Sequence, residues 1–466
     1  MRRSICKSGI AAALLLAGAC GGGGGPIDSD ANLFDAADAD QRDGDAADGD
    51  RPDLSPLDLD VEADTSPEAS DLISPPEIAP DTDVDAGPLE LLEDRQGFRS
   101  VARVRLDSSG VSERFDVGIA PASAAVYLRV SARDAVARCF QLDEAVTSEG
   151  ESWVELASEH SDYGVVCRHC TQRVSVGQGF GLFQLPNDGR ASVGTASLSL
   201  RVAERDCATS LPLSIAPGAL RAADSVDVEV LEAADLGRAA SQVLRLPVRF
   251  LVSDKSQFEA GAAGVDAILD EAFGLVRAAF EAQGIRPDFQ EILSAEPGFD
   301  DPLVYGTDDV SALSALLDAS VGPPDDALGG LSPLTVVVAG CLRRHEPSTG
   351  ALRDPQAVTT HVCAGLGPPG VGDGVVLAGH ACPSVPPAGY WSGATLGTIL
   401  AHELGHALGL YHVADSGDAT DNLEDTDAAN LMNADPLGHL NDGFSPLQGR
   451  VMRSHPLLRP LPARFP

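Results

Sequence analysis

Three histidines and one glutamate stand at a spacing that can support metal chemistry, in the string Ala401-His402-Glu403-Leu404-Gly405-His406-Ala407-Leu408-Gly409-Leu410-Tyr411-His412. His402 and His406 are four residues apart, so a helix places both imidazoles on one face, one turn from each other. Both can then reach a single zinc ion at ~2.0–2.1 Å. Glu403 falls ~100° round the helix, close enough to address a water at the metal without taking a coordination position. For His412 to return to the same ion, the chain must leave the helix sharply after Leu408. Gly409 can adopt the positive φ that such a turn requires. Three neutral imidazoles leave a fourth position open, the arrangement of catalytic rather than structural zinc. The bland alternative is an amphipathic helix with surface charges. It would need three of the ten histidines, and a glycine, to fall at the required positions by chance.

The string resembles the metzincin signature His-Glu-x-x-His-x-x-Gly-x-x-His at every fixed position. Metzincins also carry a methionine in a tight turn beneath the zinc. Of the three methionines in the chain, Met432 follows His412 in Asn430-Leu431-Met432-Asn433 and matches that Met-turn; plain core packing is its alternative role. The tail from Phe444 to Met452 looks like the segment after the Met-turn in pappalysin-like enzymes. The resemblance spans roughly residues 240–460 and is specific only from His402 onward. It implies a zinc-dependent endopeptidase that hydrolyses protein or peptide substrates with a metal-activated water, Glu403 acting as general base. Two departures stand out. Ala434 occupies the place where several subfamilies have a tyrosine that supports the transition state, and Val413 replaces an acidic residue typical of some subfamilies.

The loop between His412 and Met432 carries Asp415, Asp418, Asp421, Glu424, Asp425 and Asp427. Carboxylates this dense could hold a calcium ion, although the spacing is not that of an EF-hand and a solvated loop accounts for it equally well. Other chemistries find no support. No Gly-x-Ser-x-Gly nucleophile elbow occurs, and His160, His169, His345, His361, His380, His439 and His455 show no ligand spacing. Tyr390 and Trp391 precede the motif helix and suit either a substrate cleft or the core.

The elements that must position this motif begin near residue 241. Leu244, Leu246, Val248, Phe250 and Val252 alternate as a strand with one buried face. Val265, Ile268, Leu269, Ala272, Val276 and Phe280 recur at helical spacing, with Gly284 as a stop. Apolar strands at 335–339 and 375–378 and a second long helix at about 394–408 complete an α+β pattern, a mixed twisted sheet packed by two long helices. Upstream, residues 95–210 show short alternating runs around Val101, Val126, Val165, Phe180 and Leu198, punctuated as in a β-sandwich. Residues 211–240 read as a connector. The fold class is therefore multidomain, an all-β sandwich-like domain followed by a metzincin-type α+β domain over 241–466.

Seven cysteines fall in these domains: Cys139, Cys167, Cys170 and Cys207 in the first, Cys341, Cys363 and Cys382 in the second. The C-x-x-C pair at Cys167 and Cys170 suits disulfides in an exported domain, half of a structural zinc site, or a redox dithiol. The odd number in the second domain allows a free thiolate to cap the zinc and impose latency. An inert buried thiol or an interdomain bridge explains the parity equally well.

Arg2, Arg3 and Lys7, the apolar run from Ile10 to Leu16, and Leu16-Ala17-Gly18-Ala19-Cys20 resemble a lipoprotein-type signal peptide over 1–19 with Cys20 as the lipidated residue. An ordinary signal peptide cleaved near Ala19 is the alternative. Either places the protein outside the cytoplasm, in a bacterial envelope and membrane-anchored if lipidated, or secreted. Residues 20–94 read as a disordered acidic tether. Of the 70 acidic residues, 23 lie between positions 27 and 94, opposed only by Arg42 and Arg51, and few large apolar side chains offset the chain entropy. A net charge of -38 argues against a nucleic-acid partner. A reading from another functional class also fits: a surface lipoprotein that binds a ligand or glycan through its β-sandwich, with a latent or weakly active zinc domain.

Overall fold

The computed structural model describes residues 97–133, 138–155, 170–207, 212–213, 223–234, 242–253, 256, 258, 264–293, 302–306, 311–322, 332–346, 351–368, 371–380, 382, 392–413, 421–437 and 443–461. The signal peptide, Cys20, the tether, Tyr390, Trp391, His160, His169 and His439 lie outside them.

Alternation of apolar residues produces two antiparallel sheets in the first half of the chain. The strands are β1 (Arg99–Arg105), β2 (Phe115–Gly118), β3 (Ser123–Ala132), β4 (Cys139–Thr147), β5 (Ser152–Glu155), β6 (Gly177–Gln178), β7 (Gly181–Leu185), β8 (Ser197–Arg205) and β9 (Ser225–Ala234). One sheet runs β1-β9-β3-β7, and the other runs β2-β8-β4-β5 with β6 paired to β4. Val126, Leu128, Val130, Phe183, Leu185 and Val228 of the first sheet meet Phe140, Leu142, Leu198, Leu200 and Val202 of the second in one core. Strand β9 falls within the stretch expected to be a connector and pairs there with β1 and β3. A disulfide joins Cys139 to Cys207. Cys170 is also disulfide-bonded, so these cysteines do not form the structural zinc site weighed above.

The second half comprises β10 (Leu244–Val252), α1 (Val265–Glu281), β11 (Ile285–Leu293), β12 (Leu303–Gly306), α2 (Ser311–Ser320), β13 (Leu334–Val338), β14 (Leu342–Glu346), β15 (Ala351–Arg353), β16 (Ala357–Thr359), β17 (Gly374–Leu377), α3 (Gly393–Ala407), α4 (Pro446–Arg453) and β18 (Arg459–Pro460). Its main sheet runs β11-β10-β13-β17-β16, with β18 paired to β10. β11, β10, β13 and β17 are parallel, whereas β16 joins β17 antiparallel at the edge. Period-2 alternation sends Leu246, Val248, Phe250, Val336 and Val338 toward α1 and α3. The opposite face, with Leu251, Val337, Val358 and Val376, is covered by α2 and the small sheet β12-β14-β15. The short helices α2 and α4 carry too little periodic pattern to be read from sequence. Among the described residues, no helix is long and apolar enough to cross a membrane.

The two halves share a core. Both faces of β3 are buried: Val126, Leu128 and Val130 point into the sandwich, whereas Ala125 and Tyr127 join the cluster built on α1, α3 and the main sheet. Phe98, Phe180, Leu182 and Ala233 join that cluster too. Arg129, 1% exposed, pairs with Glu229 at 2.8 Å and donates to the Leu366 and Gly367 carbonyls at 3.1 Å.

Candidate metal centre

The motif helix α3 starts at Ser392, whose hydroxyl accepts from the Thr395 N–H at 3.1 Å. It ends in a Schellman motif: Leu410 N donates to Gly405 O at 3.0 Å, and Gly409 N to His406 O at 2.9 Å. Gly409 takes φ +102°, the left-handed region in which a Cβ is disfavoured. A second constraint acts at the same atom. A Cβ at Gly409 would lie 1.9 Å from Gln184 Oε1. Conformation and close approach thus both require glycine here.

This turn returns His412 to the helix. The Nε2 atoms of His402, His406 and His412 lie 3.0, 3.1 and 3.3 Å from one another. Among the described residues they form the one group of three or more His, Cys, Asp or Glu side chains that could hold a metal ion. Three nitrogens at ~2.0–2.1 Å from one tetrahedral ion would be separated by about 3.3 Å, so the donor set fits a metal. His402 Nδ1 lies 2.8 Å from Leu431 O, and His406 Nδ1 lies 2.8 Å from Leu410 O. A carbonyl only accepts, so each Nδ1 carries the proton and each Nε2 lone pair faces the cluster. Burial, followed by the neighbouring His402 and His412, pushes the His406 pKa well below its usual value, which keeps this ring neutral and able to ligate.

Glu403 follows His402 on α3 and is 2% exposed. The Thr359 hydroxyl, at the end of edge strand β16, is in hydrogen-bond contact with the Glu403 carboxylate and lies 3.1 Å from the Glu403 carbonyl. Met432 is fully buried beneath the helix, where a Cβ at Gly405 would meet its sulfur at 2.5 Å. Its turn is closed by Met432 N donating to Asn430 Oδ1 at 2.8 Å and Asn433 N to Asn430 O at 3.0 Å. The Asn430 and Gln448 amides exchange two 3.0 Å hydrogen bonds, tying the turn to α4. Gln448 also completes the capping box with Ser445.

Cys363 is the free cysteine among the described residues, and Cys341 pairs with Cys382. Its sulfur donates to Gln184 Oε1 at 3.2 Å, and burial drives its pKa well above the usual thiol value. The thiol therefore stays protonated and engaged behind the helix end, which removes the thiolate cap considered above. In the acidic loop, Asp425 accepts from Ser445 Oγ and Leu447 N, Asp427 from Ala429 N, and Asp421 from Thr426 Oγ1. These are turn and cap roles, and Asp415 and Asp418 lie outside the described residues. His361 stacks on Phe180 at 3.9 Å, and His455 lies edge-on to Tyr127. His361 Nε2 also lies 2.7 Å from Gln178 O and its Nδ1 3.3 Å from Asp373 Oδ1, and His455 Nδ1 accepts from Leu457 N at 3.3 Å.

Thr359, Gln184 and Gln448 escape the sequence reading. For Gln448 a signal existed, since Ser445-Pro446-Leu447-Gln448 has the Ser-x-x-Gln form of a capping box. For Thr359 and Gln184 there was none, because each meets the site only through long-range packing.

Neither a scan against protein-family models nor a search of curated proteins finds a match. Among solved structures, the chain is similar to metalloproteinase-II from Bacteroides fragilis at 11% identity and a TM-score of 0.25, covering 49% of this chain and 62% of that one. It is also similar to a chain from a chaperone-substrate complex at 12% identity and a TM-score of 0.27, covering 46% and 35%. This chain thus spans less than two thirds of either neighbour, and similarity at this level assigns no function. What the site itself presents is a buried three-histidine cluster able to bind a metal ion, with a carboxylate beside it.

Proposed function

We propose that this chain is a zinc-dependent endopeptidase of metzincin type, with His402, His406 and His412 as ligands and Glu403 as general base. The observation that carries the reading is the convergence of three Nε2 atoms within 3.3 Å, beside a buried carboxylate that is not itself part of the donor set. An all-imidazole set with an open position suits zinc. When bound, zinc supplies Lewis acidity that polarises a scissile carbonyl and acidifies water. Glu403 takes the proton of the attacking water and delivers it to the leaving amine, so the broken C–N bond yields a carboxylate and an amine. Thr359 orients that carboxylate by its hydroxyl. β16 ends at Thr359 as the edge strand of the main sheet. An extended peptide could add to that edge through main-chain hydrogen bonds, which would lay its carbonyls beside Glu403.

Export, with a lipid anchor at Cys20, is part of the same proposal. The Cys139–Cys207 and Cys341–Cys382 disulfides support an oxidising compartment. The ligand-binding sandwich is the weaker reading, because the outer face of β3 and β7 is occupied by the metal-bearing half. The test is metal dependence of cleavage. Chelation should abolish cutting of a peptide mixture and stoichiometric zinc should restore it; cutting that persists in chelator-treated, zinc-free protein would refute the assignment.

A further inference from the structure

The face of the sandwich that meets the metal-bearing half does more than pack. Along β7 and the residue before it, Phe180, Leu182 and Gln184 share one side. Phe180 stacks on His361 and Leu182 enters the shared core. Gln184 is the polar member of the row, 3% exposed, and its amide is fully used. Nε2 donates to Val451 O at 3.2 Å and Ser454 Oγ at 2.8 Å, while Oε1 accepts from the Cys363 thiol and sits over the Cα of Gly409. One side chain therefore joins the end of α4, the Cys363 segment and the turn that closes α3. The Cys363 segment is itself bound to α3, since Cys363 N donates to His406 O at 3.0 Å.

A second clasp lies two residues beyond that turn. Arg173, 3% exposed, donates to the backbone carbonyl of ligand His412 at 3.4 Å and lies over the Tyr411 ring at 5.2 Å. These contacts fall on the Gly409 turn, the Tyr411 ring and the His412 carbonyl.

We propose that the β-sandwich is a constitutive part of the metal centre, with Arg173 and Gln184 as positioning residues that fix the Gly409–His412 return. It is then neither an inhibitory pro-segment nor a detachable recognition module. His402 and His406 project from α3 itself, with their Nδ1 atoms held by Leu431 O and Leu410 O. His412 reaches the metal only through a turn whose outer surface is supplied by the sandwich, so loosening that surface should cost the third ligand first. Residues behind a ligand commonly contribute 10–100-fold to metal affinity.

This inference rests on the three-histidine metal reading, and its test separates the two. In the full chain, zinc affinity is measured by chelator competition for wild type, Arg173→Ala, Arg173→Lys, Gln184→Ala and His412→Ala, and for Arg173→Ala combined with His412→Ala; metal-free melts are recorded in parallel. The expected result is a 10–100-fold loss for Arg173→Ala and Gln184→Ala, partial recovery with Arg173→Lys, and no further loss when Arg173→Ala is added to His412→Ala. A general packing role would lower the melting temperature and leave zinc affinity at the wild-type value, which overturns the inference while the metal site stands. Equal losses from Arg173→Ala with and without His412 also overturn it, because the arginine would then not act through that ligand. Wild-type protein that binds no zinc brings down the metal reading and this inference together.

Discussion

Gly409→Ala is the substitution whose cost can be built most fully from the structure. At φ +102° a side chain costs roughly 1–2 kcal/mol through its clash with the local backbone. The new Cβ would also lie 1.9 Å from Gln184 Oε1 and 3.3 Å from Cys363 Sγ. The amide must withdraw and strain its bonds to Val451 O and Ser454 Oγ, an overpacking penalty of about 1–3 kcal/mol. Together the two effects predict a loss of about 2–5 kcal/mol, read as a midpoint shift in urea denaturation of the metal-free protein. A double-mutant cycle separates them. In a Gln184→Ala background the collision is gone, so Gly409→Ala should cost only the conformational part, about 1–2 kcal/mol. Zinc affinity should fall in the single variant, because the turn that delivers His412 has moved. A single-variant cost below 1 kcal/mol, or an undiminished cost in the Gln184→Ala background, would refute the claim that this glycine is fixed by both conformation and close approach.

Two further outcomes follow from buried groups near the site. Burial raises the Asp421 pKa to about 6 from 3.8, and its Oδ2 has no hydrogen-bond partner among the described residues. Because the folded value is the higher one, the stability this group allows is present below pH 3.8 and is lost as pH rises through 6. Asp421→Asn should therefore stabilise the protein at pH 7–8 by up to about 3 kcal/mol and flatten the decline between pH 4 and 6. Chemical melts across that range check it, and equal stability of the two proteins at pH 8 would contradict it. A calcium-induced rise in melting temperature that Asp421→Asn abolishes would instead place a cation at this carboxylate. At Cys363, a buried protonated thiol should resist alkylation in the native state and react on denaturation. Peptide mapping after iodoacetamide reads this, and rapid native labelling would show a reactive thiol instead.

The metal cluster was legible because its geometry is local. Four-residue spacing on a helix and one glycine stop already point His402, His406 and His412 toward one place. Strand β10 and helix α1 were legible for the same reason, as periodic apolar runs. Thr359 meets Glu403 only because β16 turns antiparallel at the sheet edge, which no short pattern encodes. The stretch from 211 to 240 as a whole lacks a regular pattern, so its sequence alone suggests a connector and hides β9. Only pairing with β1 and β3, across 94 to 131 positions, makes Ser225–Ala234 a central strand. Gln184 gave no sign of its role either. A glutamine in an apolar run, Phe180 to Leu185, becomes informative only once the face it shares with Phe180 and Leu182 is seen against α3.

One comparison decides whether this geometry hydrolyses peptide bonds: mass-spectrometric mapping of cleavage in a diverse peptide mixture by zinc-loaded wild type and zinc-loaded Glu403→Gln, with bound metal quantified in both. Equal zinc, new cuts from the wild type, and a rate about 10²–10⁴-fold lower in the variant are the predicted result. Cleavage by Glu403→Gln at the wild-type rate, or no cleavage by either protein with zinc bound, would contradict it.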